Sequence, residues 1–256
     1  MMSKISEAFQ NKPIFMPYYP VGYPNLKSSI NVLEALAKNG ADLVEVGLSF
    51  SDPLADGPVI QKATQIALEK GVTTKQVIAA VAELRQRGVT IPLVLMGYYN
   101  PMLAYGLEKF VGDARVAGAD GFIVPDLPPE EAGELAAVLG DMPQITMLAP
   151  TTPGERMETV ARNAKGFIYL VSVTGVTGVR AGLPEGLAEL VTRVRKHTNV
   201  PVCVGFGIGS PEQARAVGAL ADGVIVGTAC VKTIGESATP VETARVFARN
   251  FANALR

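Results

Sequence analysis

The chain has a single histidine and two cysteines, and no apolar run approaches the ~18 residues that cross a bilayer. Each scarcity removes a class of function. One His and two isolated Cys offer no ligand cluster for zinc. Cys203 and Cys230 sit in apolar runs and read as reduced, buried small hydrophobes of a cytoplasmic protein. The start, MMSKISEAFQNK, has charges and no apolar core, unlike a secretory signal. Charge of one sign is also scarce. Lys and Arg number 23 against 24 Asp and Glu, for a net charge of −1. The two signs are interspersed, so neither nucleic acid nor membrane is an expected partner.

The sequence is rich in a recurring pattern. Its 256 residues are 48% hydrophobic and 18% charged, as in a globular protein with a large core. Short apolar, β-branched runs are each followed by a polar or Gly/Pro loop and then a helical stretch. The runs are Ile14–Tyr19, Asp42–Leu48, Leu93–Gly97, Gly121–Val124, Ile145–Leu148, Phe167–Ser172, Val202–Gly205 and Gly223–Val226. Continuous apolar runs suit parallel strands covered on both faces. Between them, Ile30–Lys38, Gln76–Arg87, Leu187–Lys196 and Ala244–Leu255 carry apolar residues at helical spacing. An extra helix is expected around Gly57–Lys70. Ser210 before Pro211 reads as a helix start. Eight strand–helix units in about 250 residues predict an α/β fold, one (β/α)₈ barrel domain over 1–256 with extra helices. Function should then sit on the loops after the strands' C-terminal ends.

Several residues stand there. Alternation along the second strand puts Leu43, Glu45 and Gly47 on one face and Val44, Val46 and Leu48 on the other. A carboxylate among Leu and Val is costly to bury unless paired or protonated. Desolvation would raise its pKa, which suits a group that gives and takes a proton. A strand-end Glu that reaches solvent fits the same position. Asp52 and Asp56 follow in SDPLADGP, where turn-making explains them as well as catalysis does. The last two units end in GFGIGSPEQ and VGTACVK, and the sixth runs into TGVTG. Any one such loop needs only a turn. Three at consecutive strand ends point to phosphate held by backbone N–H groups and helix N-termini. His197 lies at the end of a helical stretch, away from these ends. No strand ends in Lys, which argues against Schiff-base chemistry. Carbon–carbon cleavage would need the substrate to be its own electron sink, as a protonated indole ring is.

The segment VEVGLSFSDPLADGPVIQ at 44–61 resembles the signature of the tryptophan synthase alpha subunit family. LMGYYNPM at 95–102, IVPDLPPEE at 123–131, YLVSVTGVTGVR at 169–180 and GFGI at 205–208 extend the likeness nearly end to end. The resemblance implies cleavage of indole-3-glycerol phosphate to indole and glyceraldehyde-3-phosphate. Glu45 would be the general acid/base, and Asp56 would accept the indole N–H. It implies an indole pocket of Tyr18, Met96, Tyr98, Ile123 and Tyr169, and a phosphate site of Gly178, Gly207, Gly227 and Thr228. Thr177 would position the catalytic Asp, and the stretch Gly178–Pro184 would close over substrate. Asp52, Asn100, Asp126 and Pro128 would face a beta subunit in an α₂β₂ heterotetramer. No cofactor is implied for this chain; pyridoxal phosphate is expected in the beta partner. The chain departs from the family pattern at Ser49, where Pro is usual, at Thr228, where Ser is common, and at Pro20 and Tyr23. Ser49 is expected to loosen its loop. Rival readings are a stand-alone lyase that releases free indole, another phosphate-binding barrel such as a sugar-phosphate isomerase, and an inactive regulatory partner of a beta subunit.

Overall fold

The eight apolar runs all become parallel strands, and together they close on themselves. In the computed structural model, which describes residues 3–11, 13–171, 185–205 and 207–256, the strands follow sequence order round a closed barrel. They are β1 Ile14–Pro20, β2 Val44–Gly47, β3 Leu93–Met96, β4 Gly121–Ile123, β5 Gln144–Leu148, β6 Lys165–Val171, β7 Val202–Gly205 and β8 Gly223–Val226. The helices are α1 Lys4–Ala8, α2 Leu26–Lys38, α3 Pro58–Glu69, α4 Thr74–Gln86, α5 Tyr99–Tyr105 and α6 Leu107–Ala117. They continue as α7 Gly133–Leu139, α8 Gly154–Arg162, α9 Leu187–Arg195, α10 Pro211–Gly218, α11 Thr228–Gly235 and α12 Pro240–Leu255.

Alternation sorts each strand's side chains between two cores. Ile14, Met16, Leu43, Val94, Ile123, Ile145, Phe167, Cys203 and Ile225 fill the barrel interior. Val44, Val46 and Leu48 belong to the outer core between sheet and helices, as the second strand's pattern requires. The N-terminal helix α1 adds Ile5 to the interior cluster, Phe9 just past its end joins it, and Phe9 lies 5.9 Å from Phe167, ring to ring. Both cysteines are free and buried.

The predicted boundaries shift for identifiable reasons. β2 starts at Val44 rather than Asp42, because the Asp42 carboxylate turns back to accept the Phe15 N–H at 2.8 Å. β6 starts early, at Lys165, through a bulge opposite Ile145 and Thr146. Gly166 makes that bulge at φ +71, where an added Cβ would meet Ile145 at 2.8 Å. Helix α2 begins at Leu26 because Asn25 caps it, accepting from the Ser28 N–H at 2.9 Å. Helix α4 begins at Thr74 behind a capping box of Thr73 and Gln76. Ser210 and Pro211 start α10 as expected. Helix α5 was not among the helices expected from the sequence. Pro101 sits in the first turn of α5, where its missing N–H has no helical partner to lose.

Candidate active site

β2 delivers Glu45 to the interior face near the C-terminal end of the barrel, paired in register with Tyr18 of β1 and Val94 of β3. Its residue is 1% exposed, and among the described residues neither carboxyl oxygen has a hydrogen-bond partner. Burial alone pushes its pKa from an ordinary 4.5 up to about 8. At neutral pH Glu45 is therefore a neutral carboxylic acid in an apolar wall. A structural glutamate at such depth would be paired; this one is not.

Asp56 is brought to the same cavity by the loop between β2 and α3. That loop is tied at several points. The Asp56 N–H donates to the Pro53 carbonyl at 3.1 Å, and the Gln61 side-chain amide donates to the Asp56 carbonyl at 2.8 Å. The Ala55 N–H donates to the Tyr98 hydroxyl at 3.0 Å, and that hydroxyl donates in turn to the Asp56 carboxylate. Burial raises Asp56 to about 6, and the Tyr98 bond opposes the rise. The two carboxyl groups thus favour opposite states at pH 7, Glu45 neutral and Asp56 ionised. Ser49 buries its hydroxyl without a partner among the described residues, yet the loop beyond it is held by these bonds.

Two tyrosines border the carboxyl groups. Tyr18 lies across Gly47 and Tyr169 across Gly205, so closely that a Cβ on either glycine would collide with the phenol ring. Both phenols are buried, which raises their pKa values, and the neighbouring carboxyl groups of Asp56 and Glu45 add to the rise. The cavity they bound is narrow, about 30 Å³. Of the predicted residues, Tyr18, Glu45, Asp56, Met96, Tyr169, Gly207, Gly227 and Thr228 line it. Tyr98 reaches it only through Asp56. Ile123 packs in the barrel interior and is not part of the wall. Sequence reasoning missed Ala55, Ile60, Pro125, Met147, Ile208 and Ile225, mostly apolar positions that carry no chemical signal of their own.

The glycine loops meet at the far side of the cavity. Gly207 has φ +86, a conformation that favours glycine. The loop behind it is fixed by the Gly209 N–H donating to Gln213 at 2.7 Å. Gly227 caps the N-terminus of α11 with φ −98, and an added Cβ would meet nothing closer than 3.7 Å. Neither backbone nor packing demands glycine there. What its missing side chain leaves is open space in front of the first N–H groups of α11, a place for an anion to approach. Thr177, Gly178 and the stretch Gly178–Pro184 lie outside the described residues. Asp52, Asn100 and Asp126 are exposed and Pro128 half-buried; Asp52, Asp126 and Pro128 lie on the loops after β2 and β4, and Asn100 in the first turn of α5 after β3. Asp126 accepts the Tyr99 N–H at 3.0 Å, joining the loop after β4 to the start of α5. Leu54, 81% exposed beside Asp52, was not singled out from the sequence.

Comparisons with known proteins agree with this architecture. A family model described as tryptophan synthase alpha chain matches residues 5–256. The chain is 48% identical over 237 residues to the tryptophan synthase alpha chain of Chloroflexus aggregans, covering 90% of this chain and 89% of that one. It is 44% identical over 256 residues to that of Dehalococcoides mccartyi, covering 99% and 100%. Among solved structures, tryptophan synthase from Mycobacterium tuberculosis superposes with a TM-score of 0.92 at 36% identity, covering 100% of this chain and 99% of that one.

Proposed function

This chain belongs to the tryptophan synthase alpha chain family, and from that premise we propose how its site works. The reaction is the retro-aldol cleavage of indole-3-glycerol phosphate to indole and glyceraldehyde-3-phosphate. The Glu45 carboxylic acid protonates carbon 3 of the indole ring, and the resulting carboxylate takes the proton of the adjacent glycerol hydroxyl. The bond between ring and side chain then breaks, its electron pair restores the aromatic ring, and the hydroxyl carbon leaves as an aldehyde. Glu45 ends protonated, as it began, so no external acid or base is consumed. Asp56, ionised, accepts the indole N–H and stabilises the positive charge that grows on the ring. The ring itself is the electron sink, so the chain's own reaction calls on no prosthetic group.

Tyr18 and Tyr169 supply flat apolar surface for the ring. Gly207, Gly227 and Thr228 hold the phosphate, with the N-terminus of α11 aimed at it. Asp52, Asn100, Asp126 and Pro128 face the beta subunit, which receives the indole. A cytoplasmic location accords with the two free, buried thiols and with the lack, among the described residues, of any helix long and apolar enough to cross a membrane.

The observation that carries this reading is Glu45, a buried carboxyl in the wall of the cavity with both oxygens unpartnered among the described residues. The test is indole release from indole-3-glycerol phosphate by the wild type and by Glu45→Gln, which keeps shape and loses the transferable proton. A loss of about 10²–10⁴-fold in kcat is expected. A Gln variant that keeps turning over at the wild-type rate excludes Glu45 as the acid/base.

A further inference from the structure

Tyr18 reaches across the reaction cavity from one chemical corner to the other. Strand β1 stands between β8 and β2 in the closed barrel. Tyr18 is in register with Glu45 on the β2 side, and on the β8 side it lies one residue beyond the Pro17–Val226 pair, level with Gly227. Alternation gives it the face of Ile14 and Met16, which fill the barrel interior. It lines the same cavity as Glu45, Asp56, Gly227 and Thr228.

The two ends of its side chain meet different neighbours. A Cβ added at Gly227 would lie 3.8 Å from the Tyr18 Cβ and 4.0 Å from its Cδ1. The base of the side chain therefore stands beside the N-terminus of α11. A Cβ added at Gly47 would instead collide with the Tyr18 hydroxyl and the ring atoms next to it. Gly47 follows Glu45 by two residues and shares its face. The phenol thus runs from the corner proposed for phosphate to the corner that holds the carboxyl groups, and glycine at 47 leaves room for its hydroxyl.

That hydroxyl is a donor. Burial raises its pKa well above the ordinary value, and Asp56, Tyr98 and Glu45 add to the rise, so it keeps its proton wherever the two carboxyl groups titrate. The neighbouring phenol, Tyr98, is already committed to the Ala55 N–H and to Asp56. Tyr18 is not bonded to Glu45, although the two residues are paired in register, because neither Glu45 oxygen has a partner among the described residues. The phenol and the carboxyl group face one cavity from adjacent strands, and a substrate oxygen between them could bond to both.

The proposed reaction puts one oxygen there. With phosphate at Gly227 and ring carbon 3 at Glu45, the glycerol chain stretches along Tyr18. Its hydroxyl next to the ring is the one whose proton Glu45 takes. We propose that the Tyr18 hydroxyl donates a hydrogen bond to this substrate hydroxyl and so turns the substrate's own proton towards Glu45. The inference rests on the retro-aldol reading. It adds a group that orients the reacting oxygen, beyond the apolar surface that the Tyr18 ring supplies.

Tyr18→Phe keeps the ring and removes the donor, and two measurements on the full-length variant test the proposal. The first is kcat/KM for indole release from indole-3-glycerol phosphate, which is expected to fall about five- to tenfold. The second is the Kd of an uncleavable analogue, an indole ring carrying a saturated three-carbon chain that ends in phosphate and lacks the hydroxyl. That Kd should stay within about twofold of the wild-type value, which also shows that the variant folds with its cavity intact. A release rate that does not change overturns the proposal. So does an analogue affinity that falls as far as the rate, because Tyr18 would then act by packing. A wild-type chain that binds the analogue but releases no indole would overturn the proposed reaction itself, and the role of Tyr18 with it.

Discussion

A carboxyl group that is buried and unpaired is a destabilising feature kept in place by the rest of the fold, and Glu45 is one. In the unfolded chain it titrates near 4.5 and in the folded one near 8. Between those values the unfolded state releases a proton that the folded state keeps, so Glu45 makes stability fall as pH rises. Glu45→Gln removes that dependence. It should be more stable than wild type at pH 8, by up to a few kcal/mol, and close to it at pH 4.5. Urea unfolding at the two pH values measures the difference; equal stability at both would mean that Glu45 is not held neutral. Tyr98 acts on the other carboxylate. Its hydroxyl bond holds Asp56 below the value that burial alone would give. Tyr98→Phe should therefore raise the pKa of Asp56 by about one unit and move the acid limb of the rate profile upward by the same amount. A limb that stays in place would show that the bond does not control Asp56.

At the scale of elements, the barrel is tied at its N-terminal end by aspartates that precede even-numbered strands. Asp42, Asp120 and Asp222 each accept the N–H of the neighbouring odd-numbered strand, from Phe15, Leu93 and Val202 respectively. Asp120 also takes the guanidinium of Arg85, which in turn donates to the carbonyls of Gly118, Val89 and Ile91. Asp120→Ala would leave a largely buried guanidinium and a strand N–H unsatisfied together. A loss of about 2–4 kcal/mol is expected, read as a lower urea midpoint with an unchanged slope. The strands themselves were legible in the sequence because their apolar runs are continuous and each is bounded by Gly, Pro or Asp; β7 and β8 fall where the pattern put them. Helix starts were less so. Asn25 and Thr73 cap through side-chain bonds, and the apolar spacing begins only after them. The facing of Glu45 followed from alternation, but its lack of a partner did not, because periodicity gives a side chain's direction and not its neighbours. For the same reason the Tyr98–Asp56 bond appears only when separate strands and loops are brought together.

For the whole molecule, the fold separates tasks by end. The N-terminal end carries the aspartate ties and the α1 plug, while the C-terminal end carries the cavity, the glycine loops and the rim proposed to meet the beta subunit. Leu54 projects from that rim at 81% exposure, on the loop that also holds Asp56. An apolar side chain so exposed fits a surface that a partner covers. Leu54→Asp should weaken association with the beta subunit by tenfold or more, roughly the effect of losing one buried apolar anchor, and leave indole release by the isolated chain nearly unchanged. Calorimetric titration of one subunit into the other reads the first effect. Unaltered association would place Leu54 outside the contact.

The central claim, that Glu45 works as a neutral acid beside an ionised Asp56, is tested most directly by the pH dependence of kcat/KM for indole release. The two groups predict a bell with limbs near pH 6 and pH 8, rising as Asp56 ionises and falling as Glu45 loses its proton. Asp56→Asn should remove the lower limb and keep the upper one. A rate that stays level or climbs through pH 8 in the wild type would contradict the account, because Glu45 would then be acting from its ionised form.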